Sequence, residues 1–210
     1  SALPLLKKHV EDCGADPSKL IYIPNGSKIP KLLKVKKFIP NKNKVKVLYI
    51  GSLNIANDIP TILKCINYIE SKNDFRFYFE IIGSGNMKKK YENIADIYKL
   101  KNIIFENPIP KSRVLVRQQE ADILIAGNPK NNFMKWGINS NKLFSYLTSG
   151  VPIVYSGNPP NNIIMDSNAG ISVDAENYKK MAKALKQIVE MSNQSYEKYG
   201  QNGIKYIKNY

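Results

Sequence analysis

The chain has 210 residues, of which 43% are hydrophobic, enough to bury the core of one large domain. Its 32 Lys and Arg against 17 Asp and Glu give a net charge of +15, which favours anionic partners such as nucleotide phosphates, nucleic acid or an acidic membrane surface. The single histidine, His9, argues against a Ser-His-Asp triad or a His-ligated metal centre. Two distant cysteines without a CxxC motif indicate a reducing, cytoplasmic compartment and no metal site, and no apolar run approaches the roughly 20 residues that span a bilayer.

The first 46 residues contain two short predicted elements and a basic linker. Residues 5–13 are predicted as a helix that ends at Gly14, and residues 20–23 as a strand. Residues 27–46 include eight lysines with little periodicity; they are interpreted as an exposed linker, with contact to anionic lipid as the alternative. The chain opens without Met and without a secretory signal, so we expect it to be part of something longer.

From residue 47 onward, short apolar runs alternate with segments of helical periodicity, separated by turn residues. Strands are predicted at residues 47–50, 75–82, 102–105, 122–125, 153–155 and 169–173. Helices are predicted at residues 59–70, 87–100, 111–119 and 196–208, and two more are predicted to be capped near Ser140 and by Asp174. This alternation predicts an α/β fold, a parallel sheet with helices on both faces.

Four loops are predicted at the edge of the sheet where such folds bind ligands, outside the carboxyl ends of the strands. They are residues 51–54, 83–85, 106–110 and 137–142. Gly51 and Gly83 begin small-residue turns in which a ligand can approach the backbone closely, although glycine is common in any turn of this kind. Neither GxGxxG nor GxxxxGK[ST] occurs, so the dinucleotide fingerprint and the P-loop are excluded.

The last of these loops leads into a helix that is predicted to be capped by Asn139 or Ser140 and to end at Gly150. Free N–H groups and the positive end of the helix dipole favour an anion at the helix start, and Lys142 adds a full charge there. The alternative is an ordinary helix–strand unit with a surface lysine.

Six segments carry a resemblance to a known family: residues 21–26, 48–53, 79–85, 102–105, 121–125 and 141–153. In this order they resemble the C-terminal half of retaining GT-B glycosyltransferases of family 4, the glycosyl transferases group 1. Tyr-Ile-Gly-Ser-Leu and Gly-Ile-Asn-Ser-Asn-Lys-Leu-Phe are most similar to the bacterial surface-polysaccharide branch that includes L-fucosamine transferases. The resemblance implies a Rossmann-like nucleotide-sugar-binding domain at residues 20–192. It also implies a remnant of the N-terminal acceptor domain at residues 1–19 and a truncated C-terminal helix at residues 193–210.

The resemblance assigns roles at the start of the helix after residue 140. Lys142 is implied as the catalytic cation that contacts the donor diphosphate, while the backbone at Ser140 and Asn141 donates to the same phosphates. Charge on the departing diphosphate is the main feature to stabilise, and preorganised N–H groups with a cation do this well.

The remaining implied site residues surround the rest of the nucleotide. Gly51 and Ser52 would flank the phosphates on the opposite side, and Gly83 would line the same site. Ile109 would meet the base through its backbone, and Ser145 would face the ribose.

The implied donor is a UDP-linked sugar, transferred as a hexosyl group with retention and without a metal or other cofactor. A lipid-linked or saccharide acceptor would come through the N-terminal domain, so this chain alone is expected to be inactive. The intact enzyme would serve capsule or O-antigen biosynthesis in the cytoplasm, with peripheral contact to an anionic membrane surface. No nucleic-acid partner is expected, because the aromatic residues do not interleave with the lysines.

Four positions depart from the family pattern. Ser145 and Gly137 stand where many members have Glu, and the Glu at position 145 normally grips ribose hydroxyls. A serine makes no charge-assisted hydrogen bond, so its bond is roughly half as strong. Ser52 and Asn57 stand where many members have a basic pair, which the fucosamine-like branch also lacks.

Two alternatives remain. A nucleotide-sugar 2-epimerase of GT-B fold would usually bring His and carboxylates to the nucleotide, whereas His9 lies outside the four loops. A non-catalytic basic binding module would rely on the +15 charge, and its affinity for nucleic acid would fall steeply with salt.

Overall fold

A computed structural model of the chain describes residues 1, 3–26, 35–37 and 44–209, without the side chain of Phe133. Its strands are β1 (Val45–Ile50), β2 (Phe77–Ile82), β3 (Ile103–Glu106), β4 (Ile123–Gly127), β5 (Ile153–Ser156) and β6 (Gly170–Val173). Its helices are α1 (Leu6–Asp12), α2 (Ile59–Glu70), α3 (Lys88–Ile97), α4 (Lys111–Glu120), α5 (Asn141–Ser149), α6 (Ile163–Ser167), α7 (Tyr178–Glu190) and α8 (Asn193–Asn209).

In the described part of the chain, six parallel strands form one sheet in the order β3-β2-β1-β4-β5-β6. The chain moves outward from β1 to β3 and then returns to the other side of β1 with β4. This reversal opens a crevice between β1 and β4 at their carboxyl ends, the place where open α/β sheets bind ligands. The predicted α/β fold is confirmed.

Helices cover both faces of the sheet because the central strands are apolar on both sides. In β1, Val47 and Tyr49 pack with α2, α3 and α7, while Leu48 and Ile50 pack with α5, α6 and the end of α8. Alternate residues of a strand point to opposite faces, so one continuous apolar run supplies both cores. Burying each such Leu or Ile side chain stabilises the fold by about 1.5–3 kcal/mol.

Helix α8 lies directly against α5, which carries much of the crevice wall. A Cβ atom at Gly200 would lie 2.2 Å from the carbonyl oxygen of Gly150, and one at Gly203 would lie 2.9 Å from that of Leu147. Only glycine allows two helices to approach this closely. The predicted C-terminal helix is present, and it packs closely against α5.

The predicted strand at residues 20–23 is wrong. Ile21 and Ile23 are 70% and 67% exposed, and their backbone bonds join Ser1 rather than the sheet. The β propensity of this run is not enough to form a strand without a neighbouring strand to pair with. Of the predicted linker, residues 27–34 and 38–43 lie outside the described residues, while Val45 and Lys46 belong to β1.

The predicted cap of α7 is also corrected. Asn177, not Asp174, caps this helix, and its side chain accepts a hydrogen bond from the Lys180 backbone N–H. Asp174 instead pairs with the Lys180 ammonium group. Glu176 has a φ of +62°, which is outside the helical region. The chain therefore makes a turn at this residue, and α7 begins only after it.

Candidate functional site

A cavity of about 1030 Å³ lies at the carboxyl edge of the sheet, beside the crevice between β1 and β4. Its walls come from the loop after β1, from α4 and from the start of α5. Six of the predicted site residues line it: Gly51, Ser52, Ser140, Asn141, Lys142 and Ser145. Residues that are far apart in the chain meet here because parallel strands end at the same edge of the sheet.

A smaller cavity of about 270 Å³ adjoins the first and contains the remaining two predicted residues, Gly83 and Ile109. Ile50, Ile82, Pro108 and Val114 also line it, so we call it the apolar slot. The two cavities share Ile50, Gly51, Ser52 and Val114. The eight predicted residues thus surround one connected space; that they bind a ligand stays a prediction.

The start of α5 has the features that favour an anion. Ser140 is the N-cap, and its side chain accepts a hydrogen bond from the Leu143 backbone N–H. No acidic residue stands in the first turn. The preceding residue, Asn139, is tied to Asn25 by two hydrogen bonds of 3.0 and 3.3 Å, which fix the approach to the helix. The first N–H groups of a helix have no acceptor within it, and the dipole places partial positive charge there.

Lys142 projects from this first turn toward the loop after β1. Its Nζ lies 2.6 Å from Asn57 Oδ1 and 2.9 Å from Tyr49 Oη, and 4.3 Å from the centre of the Tyr49 ring. All these partners are neutral. Burial of the ammonium group away from water therefore lowers the pKa of Lys142 to about 7, although part of its side chain remains exposed.

Neutral groups hold the partners of Lys142 in place. The Tyr49 hydroxyl donates to the carbonyl oxygen of Ser52 at 2.7 Å, which leaves its oxygen lone pairs to accept from Lys142. Asn57 Nδ2 donates to the same carbonyl and to Asn54 Oδ1, so its Oδ1 is directed at the lysine. Burial raises the pKa of Tyr49, and the phenol stays protonated. Tyr49 was not predicted as a site residue, because a tyrosine in a central strand is usually part of the hydrophobic core.

Gly83 is required by a close backbone contact, and Gly51 lies against the side chain of Lys142. A Cβ atom at Gly83 would lie 1.9 Å from the carbonyl oxygen of Gly51, and one at Gly51 would lie 2.8 Å from Lys142 Cε. The two loops therefore touch backbone to backbone, and the lysine stem lies across the first of them. Glycine is therefore favoured in these turns by the packing of the two loops, in addition to the approach of a ligand.

Ser145 is joined to a residue that sequence reasoning missed. Gln118, on α4, is 1% exposed and donates from Nε2 to Ser145 Oγ at 2.9 Å. Both residues line the larger cavity, as do Lys111 and Ser112 at the start of α4. No local pattern marks Gln118, because its position depends on how α4 packs on α5.

Within the described ranges, no three His, Cys, Asp or Glu side chains are grouped so that they could hold a metal ion. None of the described helices combines the length and apolar character needed to cross a membrane.

Comparison with known proteins gives one match by sequence profile. The family described as glycosyl transferases group 1 matches residues 31–206. No curated protein matches the chain significantly.

Solved structures give the fold. A mutant of S. aureus TarM in complex with fondaparinux, α-GlcNAc-glycerol and UDP has a TM-score of 0.72 and 16% identity, over 90% of this chain and 36% of that one. WaaG, a glycosyltransferase involved in lipopolysaccharide biosynthesis, has a TM-score of 0.69 and 15% identity, over 94% and 54%. The C-terminal domain of LpcC, a glycosyl transferase group 1 family protein from Francisella tularensis, has a TM-score of 0.61 and 18% identity, over 81% and 87%. The chain thus spans about a third to a half of the length of TarM and WaaG.

Proposed function

Because the chain belongs to the glycosyl transferases group 1 family, we propose that it is the donor-binding half of a nucleotide-sugar-dependent glycosyltransferase. The observation that supports this most is the arrangement of Lys142 and the α5 N-terminus opposite the loop after β1, around a cavity of about 1030 Å³. A cavity of this size accepts a nucleotide with an attached sugar. The proposed donor is UDP-linked, which the UDP in the TarM complex supports.

In the proposed reaction, the bond between the anomeric carbon and the diphosphate breaks, and negative charge develops on the departing phosphate. Lys142, protonated once the phosphate is bound, and the first N–H groups of α5 stabilise that charge. They are already in place, so little reorganisation is needed as the bond breaks. The charge on the diphosphate rises as the bond breaks, so these groups bind the transition state better than the donor.

The described residues that line the larger cavity include no carboxylate and no histidine. None of these residues therefore supplies a carboxylate or an imidazole to take the proton of the acceptor hydroxyl. This supports the proposal that a second domain brings the acceptor and further catalytic groups, and that the chain alone has little activity. It also disfavours the 2-epimerase, whose chemistry needs a base next to the sugar.

We propose transfer of a hexosyl group with retention, to a saccharide or lipid-linked acceptor, in the synthesis of a bacterial surface polysaccharide. The net charge of +15 favours contact with the anionic inner face of a membrane. Co-sedimentation with phosphatidylglycerol vesicles measures this contact; binding that is absent at low salt would contradict it.

The proposed function predicts selective nucleotide binding by the chain itself. Calorimetric titration with UDP, GDP and ADP at moderate salt is expected to show one saturable site for UDP and much weaker binding of the other two. Equal binding of all three, with affinity that collapses as salt rises, would instead indicate a non-catalytic basic surface. Absence of binding by any nucleotide would contradict donor binding by this chain.

Nucleotide binding is also predicted to depend on pH. In the free chain the pKa of Lys142 is about 7, because the ammonium group is buried among neutral partners. Bound phosphate oxygens favour the charged form, so above pH 7 binding takes up about one proton at Lys142. The affinity for UDP is therefore expected to fall as the pH rises from 7 to 9, by up to about tenfold per pH unit.

Calorimetry at pH 8 in buffers of different ionisation enthalpy measures this proton directly. The Lys142→Arg variant is the control, since a guanidinium group stays charged over this range and should take up no proton. A wild-type affinity that stays flat from pH 6 to 9 would contradict this prediction, because it would show that Lys142 gains no proton when the nucleotide binds.

A further inference from the structure

The ammonium group of Lys142 meets two acceptors that come from β1 and the loop after it. Asn57 Oδ1 lies 2.6 Å from Lys142 Nζ, and Tyr49 Oη lies 2.9 Å from it. A protonated lysine offers three N–H donors, so these contacts leave one donor without a partner among the described residues. Lys142 lines the larger cavity, and a ligand there can therefore accept from this third N–H.

The side-chain amide of Asn57 is held with its oxygen toward the lysine. Its Nδ2 donates to the carbonyl oxygen of Ser52 at 2.9 Å and to Asn54 Oδ1 at 2.8 Å. Turning the amide over would break both bonds and place N–H groups against the ammonium group. The Tyr49 hydroxyl donates its hydrogen to the same Ser52 carbonyl at 2.7 Å, so its oxygen also accepts from Lys142.

The charges around Lys142 leave its own charge uncancelled. In the described part of the chain no carboxylate forms an ion pair with it, and Lys111 is the only other charged residue that lines the cavity. Asp58 follows Asn57 in the chain, but its carboxyl group bonds Thr61 and lies beside Gly127. A carboxylate next to Lys142 would stabilise the ammonium group but would also repel an incoming anion.

We propose that Asn57 and Tyr49 are positioning residues, which hold the ammonium group of Lys142 in the cavity wall so that its third N–H and its uncancelled charge meet the donor diphosphate. This inference rests on the proposed nucleotide-sugar binding. Two fixed acceptors restrict a long, flexible side chain before the nucleotide arrives, so less freedom is lost when it binds. The same acceptors stabilise the buried positive charge.

Asn57→Leu tests this role by calorimetric titration with UDP from pH 5 to 9. Leucine has a similar shape to asparagine but accepts no hydrogen bond, so the substitution leaves the buried ammonium group with one acceptor and lowers the pKa of Lys142 further. Wild-type affinity is expected to begin to fall near pH 7, where Lys142 loses its proton. In Asn57→Leu the fall is expected to begin about one pH unit lower, and affinity at pH 5 to be about three- to tenfold weaker.

Tyr49→Phe provides the second variant, which keeps the proposal testable if Asn57→Leu does not fold. It removes only the hydroxyl group from a buried ring, and the Ser52 carbonyl keeps Asn57 Nδ2 as a donor. The pH at which the affinity begins to fall is expected to move in the same direction. The ionisation of UDP is common to all variants, so it cancels when their pH profiles are compared.

Asn128→Leu is the matched control. Asn128 Nδ2 donates to the carbonyl oxygen of Ala56 at 2.8 Å, so it also supports the loop after β1, but it does not line the cavity. This variant removes a loop contact without touching Lys142. Its UDP affinity is therefore expected to begin to fall at the same pH as that of the wild-type chain.

A double substitution separates positioning of Lys142 from a structural role of Asn57. If Asn57 acts through the lysine, adding Asn57→Leu to Lys142→Met changes UDP affinity by less than about twofold. Losses that add in the double variant, or a pH profile that Asn57→Leu leaves unchanged, overturn the proposal while donor binding stands. A wild-type chain that binds no UDP at any pH overturns the proposed function and this inference together.

Discussion

Replacing Lys142 with Met is expected to weaken UDP binding by about 1–3 kcal/mol, because a charged hydrogen bond to the diphosphate is lost while the apolar stem is kept. The folded structure should tolerate the change. Its cost is the loss of a donor to Asn57 and Tyr49, offset by removal of an ammonium group that is buried among neutral partners. Calorimetric titration of both proteins with UDP measures the difference.

Lys111→Met is the matched control for this result. Lys111 lines the same cavity but is exposed at the start of α4, so its charge is screened by water. It is expected to change the affinity by less than about 1 kcal/mol. Equal losses in the two variants would show that general positive charge, rather than Lys142, attracts the nucleotide. Unchanged affinity in Lys142→Met would remove this residue from the site.

Replacing Gly83 with Ala is expected to destabilise the fold by about 3 kcal/mol or more. The new Cβ would lie 1.9 Å from the carbonyl oxygen of Gly51, and a backbone atom cannot move aside as the end of a side chain can. Relief would require the loops after β1 and β2 to separate, so the site would be distorted as well. Urea denaturation measures the loss as a lower midpoint.

Gly26→Ala is the control for that substitution. Among the described residues, no atom lies within 4 Å of a Cβ built at Gly26, so the change is expected to alter the free energy of unfolding by no more than about 0.5 kcal/mol. Similar midpoints for Gly83→Ala and wild type would mean that the two loops are not in contact in solution.

The strand segments and the loops of the site could be predicted from sequence because each depends on local chemistry. Apolar runs such as residues 47–50 mark buried strands, and glycine with a polar cap marks the ends of α5. Once the strands are parallel, their carboxyl ends must share one edge, so distant loops such as those at Gly51 and Lys142 are brought together. The family predicted from the ordered motifs is confirmed by the match over residues 31–206.

The side chains that contact the predicted residues could not be predicted from the sequence, because these contacts depend on packing between distant segments. Lys142 meets Asn57 and Tyr49 across 85 and 93 residues, and Ser145 meets Gln118 across 27. The same limit explains the wrong strand at residues 20–23, where local propensity was judged without a pairing neighbour. Retention, the fucosamine-like branch and the polysaccharide pathway stay predictions.

The most direct test of donor binding is a crystal structure of the chain with UDP. We expect the diphosphate within hydrogen-bonding distance of the α5 N-terminus and Lys142 Nζ, and the uracil in the apolar slot beside Ile109. The ribose should lie against Ser145. UDP bound away from α5, or with its diphosphate out of reach of Lys142, would contradict donor binding at this site.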